Sequence, residues 1–92
     1  PAHAGVTFYS DANFLGSRMY TWDNPHLGWM NDRASSLHSD GCRWRYYEDS
    51  HYRGRRFDSS SDLNYLRGLS HEGLHWGETW DDRISSVRYV YC

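Results

Sequence analysis

The chain has 92 residues, with eight Tyr, five Trp, ten Arg and no Lys, and its formal net charge is −2 at pH 7. This length is enough for one hydrophobic core and too short for a second domain of ordinary size, so we expect a single domain over residues 1–92. The near-neutral charge lacks the excess of positive charge that is typical of nucleic-acid-binding domains. No apolar run approaches the roughly 20 residues that a membrane-spanning helix needs. The composition therefore indicates one compact domain that neither spans a membrane nor binds nucleic acid.

The first half begins with a predicted strand at residues 6–9, where apolar and polar side chains alternate. A period of two residues is typical of a half-buried strand. A folded hairpin follows, in which Gly16 supplies the positive φ of the turn and Phe14 is placed to fold back over Tyr9. The next strand ends at the Asp-Asn-Pro sequence of residues 23–25, which starts a loop.

The second half repeats this order after a short linker at residues 39–41. Apolar and basic residues alternate over residues 43–46, and a second hairpin places Tyr52 and Gly54 where the first has its aromatic residue and glycine. Alternation resumes in the last predicted strand, residues 86–91. The chain is therefore expected to be built from two similar motifs.

Each half also contains a similar six-residue box, NDRASS at residues 31–36 and DDRISS at residues 81–86. Each box places two adjacent carboxylate or amide side chains close to two hydroxyls. Oxygen donors of this kind suit Ca²⁺, whereas thiolate and imidazole ligands suit other metals. Ca²⁺ takes six to eight oxygens. A single box cannot direct that many oxygens at one point, so we expect sites that are shared between the boxes.

The two halves differ in the spacer between hairpin and box. The hairpins lie 38 residues apart and the boxes 50, so the second spacer is 12 residues longer. Residues 61–62 are good helix N-caps, and leucines follow at near-helical spacing, at Leu63, Leu66 and Leu69. We therefore predict a short helix that covers one end of the core.

The two cysteines frame the second half, with Cys42 at its start and Cys92 at the end of the chain. They are either two reduced thiols or a disulfide, and their positions favour the disulfide, which would contribute roughly 4 kcal/mol by chain-entropy arguments. Disulfides form in oxidising compartments. The first four residues, Pro-Ala-His-Ala, look like a newly cut mature terminus. This beginning and the two cysteines together predict a secreted protein.

Two hairpins and two boxes in the same order resemble the βγ-crystallin family. Its Greek-key motifs carry an aromatic-x4-aromatic-x-Gly hairpin, and its calcium-binding members carry an Asn/Asp-Asn/Asp-x-x-Ser/Thr-Ser box. Both halves fit this pattern, from about Val6 to Tyr91. The resemblance implies an all-β fold in which two Greek keys, at about 5–40 and 42–92, form a β-sandwich, with the short helix in the second motif. We expect a monomer.

The resemblance also implies how two Ca²⁺ ions would be held. Each ion takes a side chain and a main-chain carbonyl from one box, the fifth-position hydroxyl of the other box and a hairpin carbonyl. Which of the two paired Asn/Asp side chains in each box contacts the ion stays open, and so does the interpretation that these residues merely form turns. The hydroxyls of Ser36 and Ser86 are instead expected to fasten the hairpins. The implied ligands are Ser10, Asn31, Asp32, Arg33, Ser35, Glu48, Asp81, Asp82, Arg83 and Ser85.

A competing motif lies in the longer spacer, where residues 71–75, His-Glu-Gly-Leu-His, match the His-Glu-x-x-His signature of zinc peptidases. That chemistry needs a stable helix and a third ligand, whereas Gly73 interrupts the motif. A loop is the better interpretation, and we do not expect an enzyme. A zinc hydrolase is therefore the weaker alternative. The other is an antimicrobial, killer-toxin-like protein or a protease inhibitor, as among similar small microbial domains.

Overall fold

The computed structural model of the protein describes residues 4–69 and 74–92. The first three strands form one antiparallel sheet in the order β2-β1-β3, and the last three form a second sheet in the order β5-β4-β6. The second sheet thus repeats the topology of the first, and the predicted all-β fold of two similar motifs is confirmed. No helix in the described ranges is long and apolar enough to cross a membrane. The strands are β1 (Val6–Asp11), β2 (Leu15–Thr21), β3 (Ser36–His38), β4 (Arg43–Asp49), β5 (Arg53–Ser59) and β6 (Ser86–Tyr91).

Both predicted hairpins have the expected folded form. Gly16 has a φ of +82°, a conformation that favours glycine. The ring of Phe14 lies edge-on against Tyr9 with centroids 5.7 Å apart, and Tyr52 lies against Tyr47 in the same way at 5.6 Å. Each hairpin therefore covers the strand that leads into it.

The last serine of each box fastens a hairpin, as expected from the sequence. The hydroxyl of Ser36 donates to the carbonyl of Asp11 at 2.6 Å and accepts from the N–H of Phe14 at 3.0 Å. Ser86 makes the equivalent two bonds in the second half, at 2.6 and 3.1 Å. Because each of these hydroxyls both donates to and accepts from the backbone, their role is structural.

The core lies between the two sheets. Phe8 from the first sheet meets Tyr46 from the second edge-on, with ring centroids 6.0 Å apart, and Tyr46 stacks on Phe57 at 4.9 Å. Trp80, which precedes the second box, is fully buried and packs on Phe57 at 4.7 Å. Since side chains alternate along a strand, the residues between these buried ones form the outer faces of the sandwich.

The predicted short helix is a single 3-10 turn, Leu66–Gly68. Leu66 is fully buried and Leu69 packs against the core, so the leucine spacing did identify a segment that covers it. Leu63 instead exchanges two backbone hydrogen bonds of 2.9 Å with Leu37. Because the backbone of Leu63 is used in this bridge to the sheet, it cannot also begin a helical ladder.

Cys42 and Cys92 form a disulfide, as their positions predicted. Cys42 is fully buried and directly precedes β4, and Cys92 directly follows β6. The bond therefore joins the beginning and the end of the second motif.

Candidate functional site

The two boxes lie against each other and are joined by reciprocal backbone hydrogen bonds. The N–H of Asp32 donates to the carbonyl of Ile84 at 3.1 Å, and the N–H of Asp82 donates to the carbonyl of Ala34 at 3.0 Å. Both Ile84 and Ala34 are fully buried. The polar second residue of each box is therefore fixed to the apolar fourth residue of the other.

This pairing brings the fifth-position hydroxyl of each box to the acidic side chain of the other. The hydroxyl of Ser85 lies 2.9 Å from Oδ1 of Asp32, and that of Ser35 lies 3.5 Å from Oδ1 of Asp82. Asp32 and Asp82 have φ values of +57° and +58°, a region that Asp tolerates better than most residues. Residues about 50 positions apart thus share one polar centre.

The hairpins approach the same centre through their backbone. The N–H of Ser35 donates to the carbonyl of the residue before Ser10, and the N–H of Ser85 donates to that of the residue before Glu48, both at 2.9 Å. Each box is therefore bonded to the hairpin of its own motif at the residue next to its implied carbonyl ligand.

The side-chain carbonyl of Asn31 shows whether these residues fit a cation. Its Oδ1 is buried and receives no hydrogen bond from any described residue. Its amide nitrogen lies 3.4 Å from Oδ2 of Asp32. A buried acceptor without a partner costs about 1–3 kcal/mol, and a cation bound between Asn31 and Asp32 would satisfy it.

The donor types also decide which cation fits. Within the described ranges, no three or more His, Cys, Asp or Glu side chains are grouped so that they could hold a metal. The boxes themselves present carboxylate, hydroxyl and amide oxygens, which are the donor type that Ca²⁺ takes in proteins. The rival zinc motif cannot be placed, since residues 70–73 lie outside the described ranges, and His75 is exposed.

The comparisons with known proteins agree with the fold. A family model for Beta/Gamma crystallin matches residues 5–90. The chain belongs to the βγ-crystallin family. No curated protein sequence matches it.

Several solved βγ-crystallin structures are similar over nearly the whole chain. One from an archaeon is 30% identical, with a TM-score of 0.77, and the match covers 95% of this chain and 98% of that one. A domain from Flavobacterium johnsoniae is 26% identical, with a TM-score of 0.68 and coverage of 94% and 93%. A protein from Ciona intestinalis, 19% identical with a TM-score of 0.75 and coverage of 92% and 98%, shares the fold.

Two cavities of this βγ-crystallin domain adjoin the boxes, one beside each hairpin. The larger, of about 360 Å³, lies beside the second hairpin and is lined by Asp32, Glu48, Asp49, Asp81, Asp82 and Arg83. The smaller, of about 250 Å³, lies beside the first hairpin and is lined by Asp11, Ala12, Ser35, Tyr65, Arg67 and Asp81.

The smaller cavity contains a cation of the protein itself, which the sequence did not reveal. A guanidinium nitrogen of Arg67 lies 3.4 Å from Oδ2 of Asp81. The N–H of Leu66 donates to the carbonyl of Ser35, and the N–H of Leu27 donates to that of Ser85, both at 3.0 Å. Since the two serines are equivalent in the boxes, the residues that follow the leucines, Arg67 and Gly28, are equivalent as well. The position equivalent to Arg67 in the other motif therefore carries no side chain.

Beside the larger cavity, the side chain of Glu48 is held in an ion-pair network. Arg55 hydrogen-bonds to both Glu48 and Glu78, and Arg83 lies 3.5 Å from Glu48 and 3.3 Å from Glu78. Arg55 lowers the pKa of both carboxyls, that of Glu78 to about 2. Glu48 is thus engaged through its side chain, and what it can offer the cavity is its main-chain carbonyl.

The carboxyl of Asp82 in the second box has the opposite shift. Burial, and next the charge of neighbouring Asp81, raise the pKa of Asp82. Both causes penalise the charged form, and a bound cation opposes both. The hydroxyl of Ser35 and the guanidinium of Arg67 act in the opposite direction and lower the pKa of Asp82.

Proposed function

We propose that the domain binds two Ca²⁺ ions, shared between the two boxes, and that they stabilise the fold. The observation that carries the proposal is the crossed arrangement, in which Ser85 meets Asp32 and Ser35 meets Asp82. Such a pairing places the oxygens of residues far apart in sequence around common points. A divalent ion bound there would join the two motifs and so stabilise the native state against unfolding.

In this proposal the chain's own residues divide the work. Asp32 and Asp82 supply negative charge, and the hydroxyls of Ser35 and Ser85 cross between boxes. The unsatisfied Oδ1 of Asn31 supports a direct contact with the ion from that side chain. Backbone carbonyls of Ser10, Arg33, Glu48 and Arg83 complete the donor set, with Asp81 beside the smaller cavity.

We also propose a secreted, monomeric protein with a binding role and no catalytic one. The disulfide between Cys42 and Cys92 supports export, because disulfides persist in oxidising compartments. The oxygen donors of the boxes support ion binding.

The first test is thermal unfolding with and without calcium. An ion that binds only the folded state stabilises it by about 2.7 kcal/mol per site at a hundredfold excess over Kd, which corresponds to a rise in Tm of roughly 10–20 °C for a domain of this size. EDTA should reverse the rise, and titration calorimetry should give two sites. A melting curve unchanged by millimolar calcium would show that the boxes are turns and not ion sites.

The crossed arrangement is tested with serine variants. Ser85→Ala should weaken binding at the ion that Asp32 holds, and Ser35→Ala should weaken it at the ion that Asp82 holds. The measurement is the calcium dependence of the backbone amide signals of Asp32 and Asp82 by NMR. Ser60→Ala, at an exposed position in the loop after β5, is the matched control. If each serine affects only the carboxylate of its own box, the sites are not shared.

A further inference from the structure

The outer face of the second sheet carries an unusual concentration of arginine. Trp44 and Tyr46 of β4 are fully buried, so their neighbours Arg43 and Arg45 point to the opposite, outer face. These two side chains are about 7 Å apart along the strand, the spacing of alternate residues.

The neighbouring strands add two more guanidinium groups to this face. Arg45 lies opposite Asp58 of β5 and Arg88 of β6, and directly opposed residues in an antiparallel pair share a face. Arg56 precedes Asp58 by two residues and lies on the same side. We call the four residues Arg43, Arg45, Arg56 and Arg88 the arginine face.

The carboxylate of Asp58, which lies among them, confirms that they are close together. Asp58 accepts two hydrogen bonds from Arg45, at 2.7 and 3.0 Å. Arg45 lowers the pKa of Asp58, and the charges of Arg43 and Arg56 lower it further. Asp58 neutralises one of the four positive charges, and the carboxylate of Asp23, which accepts the N–H of Tyr89 next to Arg88, offsets part of another, so the face keeps an excess of positive charge.

The equivalent face of the first sheet shows that the fold does not require this charge. Thr7 takes the place of Arg45, Tyr20 that of Asp58, and His38 that of Arg88. Only Arg18, opposite Tyr9, matches Arg56, opposite Tyr47. The same architecture is thus built with one arginine on one outer face and with four on the other.

Several groups on the arginine face remain available to a ligand. Within residues 4–69 and 74–92, neither Arg43 nor Arg56 takes part in an ion pair. Tyr91 lies opposite Arg43 and is 59% exposed. Arg88 lies over the ring of Tyr52, 4.6 Å from its centre.

We propose that the arginine face binds an acidic polysaccharide. Guanidinium groups form bidentate pairs with carboxylate and sulfate groups, and a row of them on a flat sheet matches a linear polymer with repeated anionic groups. Tyr91 offers an exposed amphipathic ring beside Arg43 that can lie against the apolar side of a sugar.

The same residues argue against two other polyanions. Single-stranded nucleic acid is held by successive bases stacked on several aromatic rings, but of the described rings on this face Tyr91 alone is open, because Tyr47 is 5% exposed beneath Tyr52 and Arg88 covers the ring of Tyr52. Binding at a membrane surface draws on apolar side chains that enter the lipid, and among the described residues of this face Tyr91 is the exposed large hydrophobic one.

The test compares fluorescent dextran sulfate with unmodified dextran, which has the same backbone without the anionic groups. The protein should bind dextran sulfate, with an affinity that falls as salt is raised, and should not bind dextran. The double variant Arg43→Gln/Arg56→Gln should lose about tenfold or more in affinity and show a shallower salt dependence. Arg18→Gln, at the position equivalent to Arg56, is the matched control and should bind as the wild type does.

Further comparisons make the outcome decisive. Binding should be equal in calcium and in EDTA, because the arginine face is separate from the boxes; a requirement for calcium would overturn the proposal. So would an equal loss in the Arg18→Gln control, or tighter binding to a single-stranded oligothymidylate or to phosphatidylglycerol vesicles than to dextran sulfate. If the double variant is less stable than the wild type, the single variant Arg56→Gln, at an exposed position, takes its place and should also bind dextran sulfate more weakly.

Discussion

Two adjacent serines in each box have different roles, although they are chemically identical. Ser36 and Ser86 are saturated by hairpin backbone, whereas Ser35 and Ser85 reach across to the opposite carboxylate. The difference follows from strand geometry, since consecutive side chains point to opposite sides as the chain enters a strand. One serine position therefore maintains the hairpin and the other is available for an ion.

At the same scale, Arg67 makes the two proposed calcium sites unequal. Its guanidinium sits beside Asp81 in the smaller cavity, where it repels a divalent ion, and its equivalent in the other motif, Gly28, brings no such charge. Arg67→Gln should therefore tighten the weaker of two calcium sites by up to about tenfold, since two positive charges act on one at a distance of roughly 6 Å in a water-like medium. Titration calorimetry at low salt should resolve the change.

The control for Arg67→Gln is the converse substitution, Gly28→Arg. Gly28 has a φ of +61°, where any other residue is strained, but a Cβ there would contact nothing within 4 Å. Gly28→Arg should weaken the other site and leave the smaller cavity as it is. If Arg67→Gln leaves both affinities unchanged, Arg67 does not compete with the ion.

At the scale of elements, the segment after residue 73 is held to β5 by Glu78. Arg55 of β5 binds both Glu48 and Glu78, so β5, the end of β4 and the longer spacer are joined through one guanidinium. The fully buried Trp80 follows two residues later. The ion pairs thus help position the chain for its return to the core.

The lowered pKa of Glu78 predicts how this attachment responds to acid. Its pKa falls from the usual value of 4.5 to about 2 in the folded protein, so its contribution to stability is complete above pH 4.5 and is lost as the pH falls towards 2. Glu78→Gln should lower Tm at neutral pH, and the difference in Tm from the wild type should shrink between pH 4.5 and 2. Asp40→Asn, in the linker between the motifs, should show no such convergence, and parallel Tm curves for Glu78→Gln would contradict the expected coupling.

Much of this architecture was predictable from local sequence, because its rules are local. Alternation of apolar and polar residues indicated the strands, and Gly16 and its counterpart Gly54 indicated the hairpins. The last serine of each box was expected to fasten a hairpin, and Ser36 does so. The predicted helix failed to extend because Leu63 pairs with Leu37, a contact between distant residues that no local spacing encodes. The equivalence of Arg67 with Gly28 was hidden for a related reason, since the longer spacer shifts the numbering between them.

At the scale of the whole molecule, the net charge of −2 conceals a separation of charge. Carboxylates gather around the boxes, whereas four of the ten arginines lie on the outer face of the second sheet. Net charge alone gave no sign of a polyanion site, because the grouping arises only when three strands are placed side by side. The two regions can therefore act separately, one on cations and the other on anions.

The disulfide and the proposed calcium ions both stabilise the molecule as a whole, and this predicts how the loss of one changes dependence on the other. The bond between Cys42 and Cys92 closes a loop of 50 residues in sequence separation, worth roughly 4 kcal/mol by chain entropy. A small domain has a total stability of only about 5–15 kcal/mol, so the reduced, calcium-free protein should lie near its unfolding threshold.

Circular dichroism with and without a reducing agent should reveal this. The oxidised protein should stay folded at 37 °C in EDTA as well as in calcium. At this temperature, small domains that have lost a native disulfide often fail to fold. The reduced protein should be folded in calcium and partly unfolded in EDTA, since ion binding restores about the free energy that the disulfide supplied. Cys42→Ser/Cys92→Ser should behave like the reduced protein without any reductant, which separates the effect of the bond from side effects of the reagent. If the reduced protein is equally folded in both conditions, the ions and the disulfide do not stabilise the same folded state, and calcium binding has a role other than holding the two motifs together.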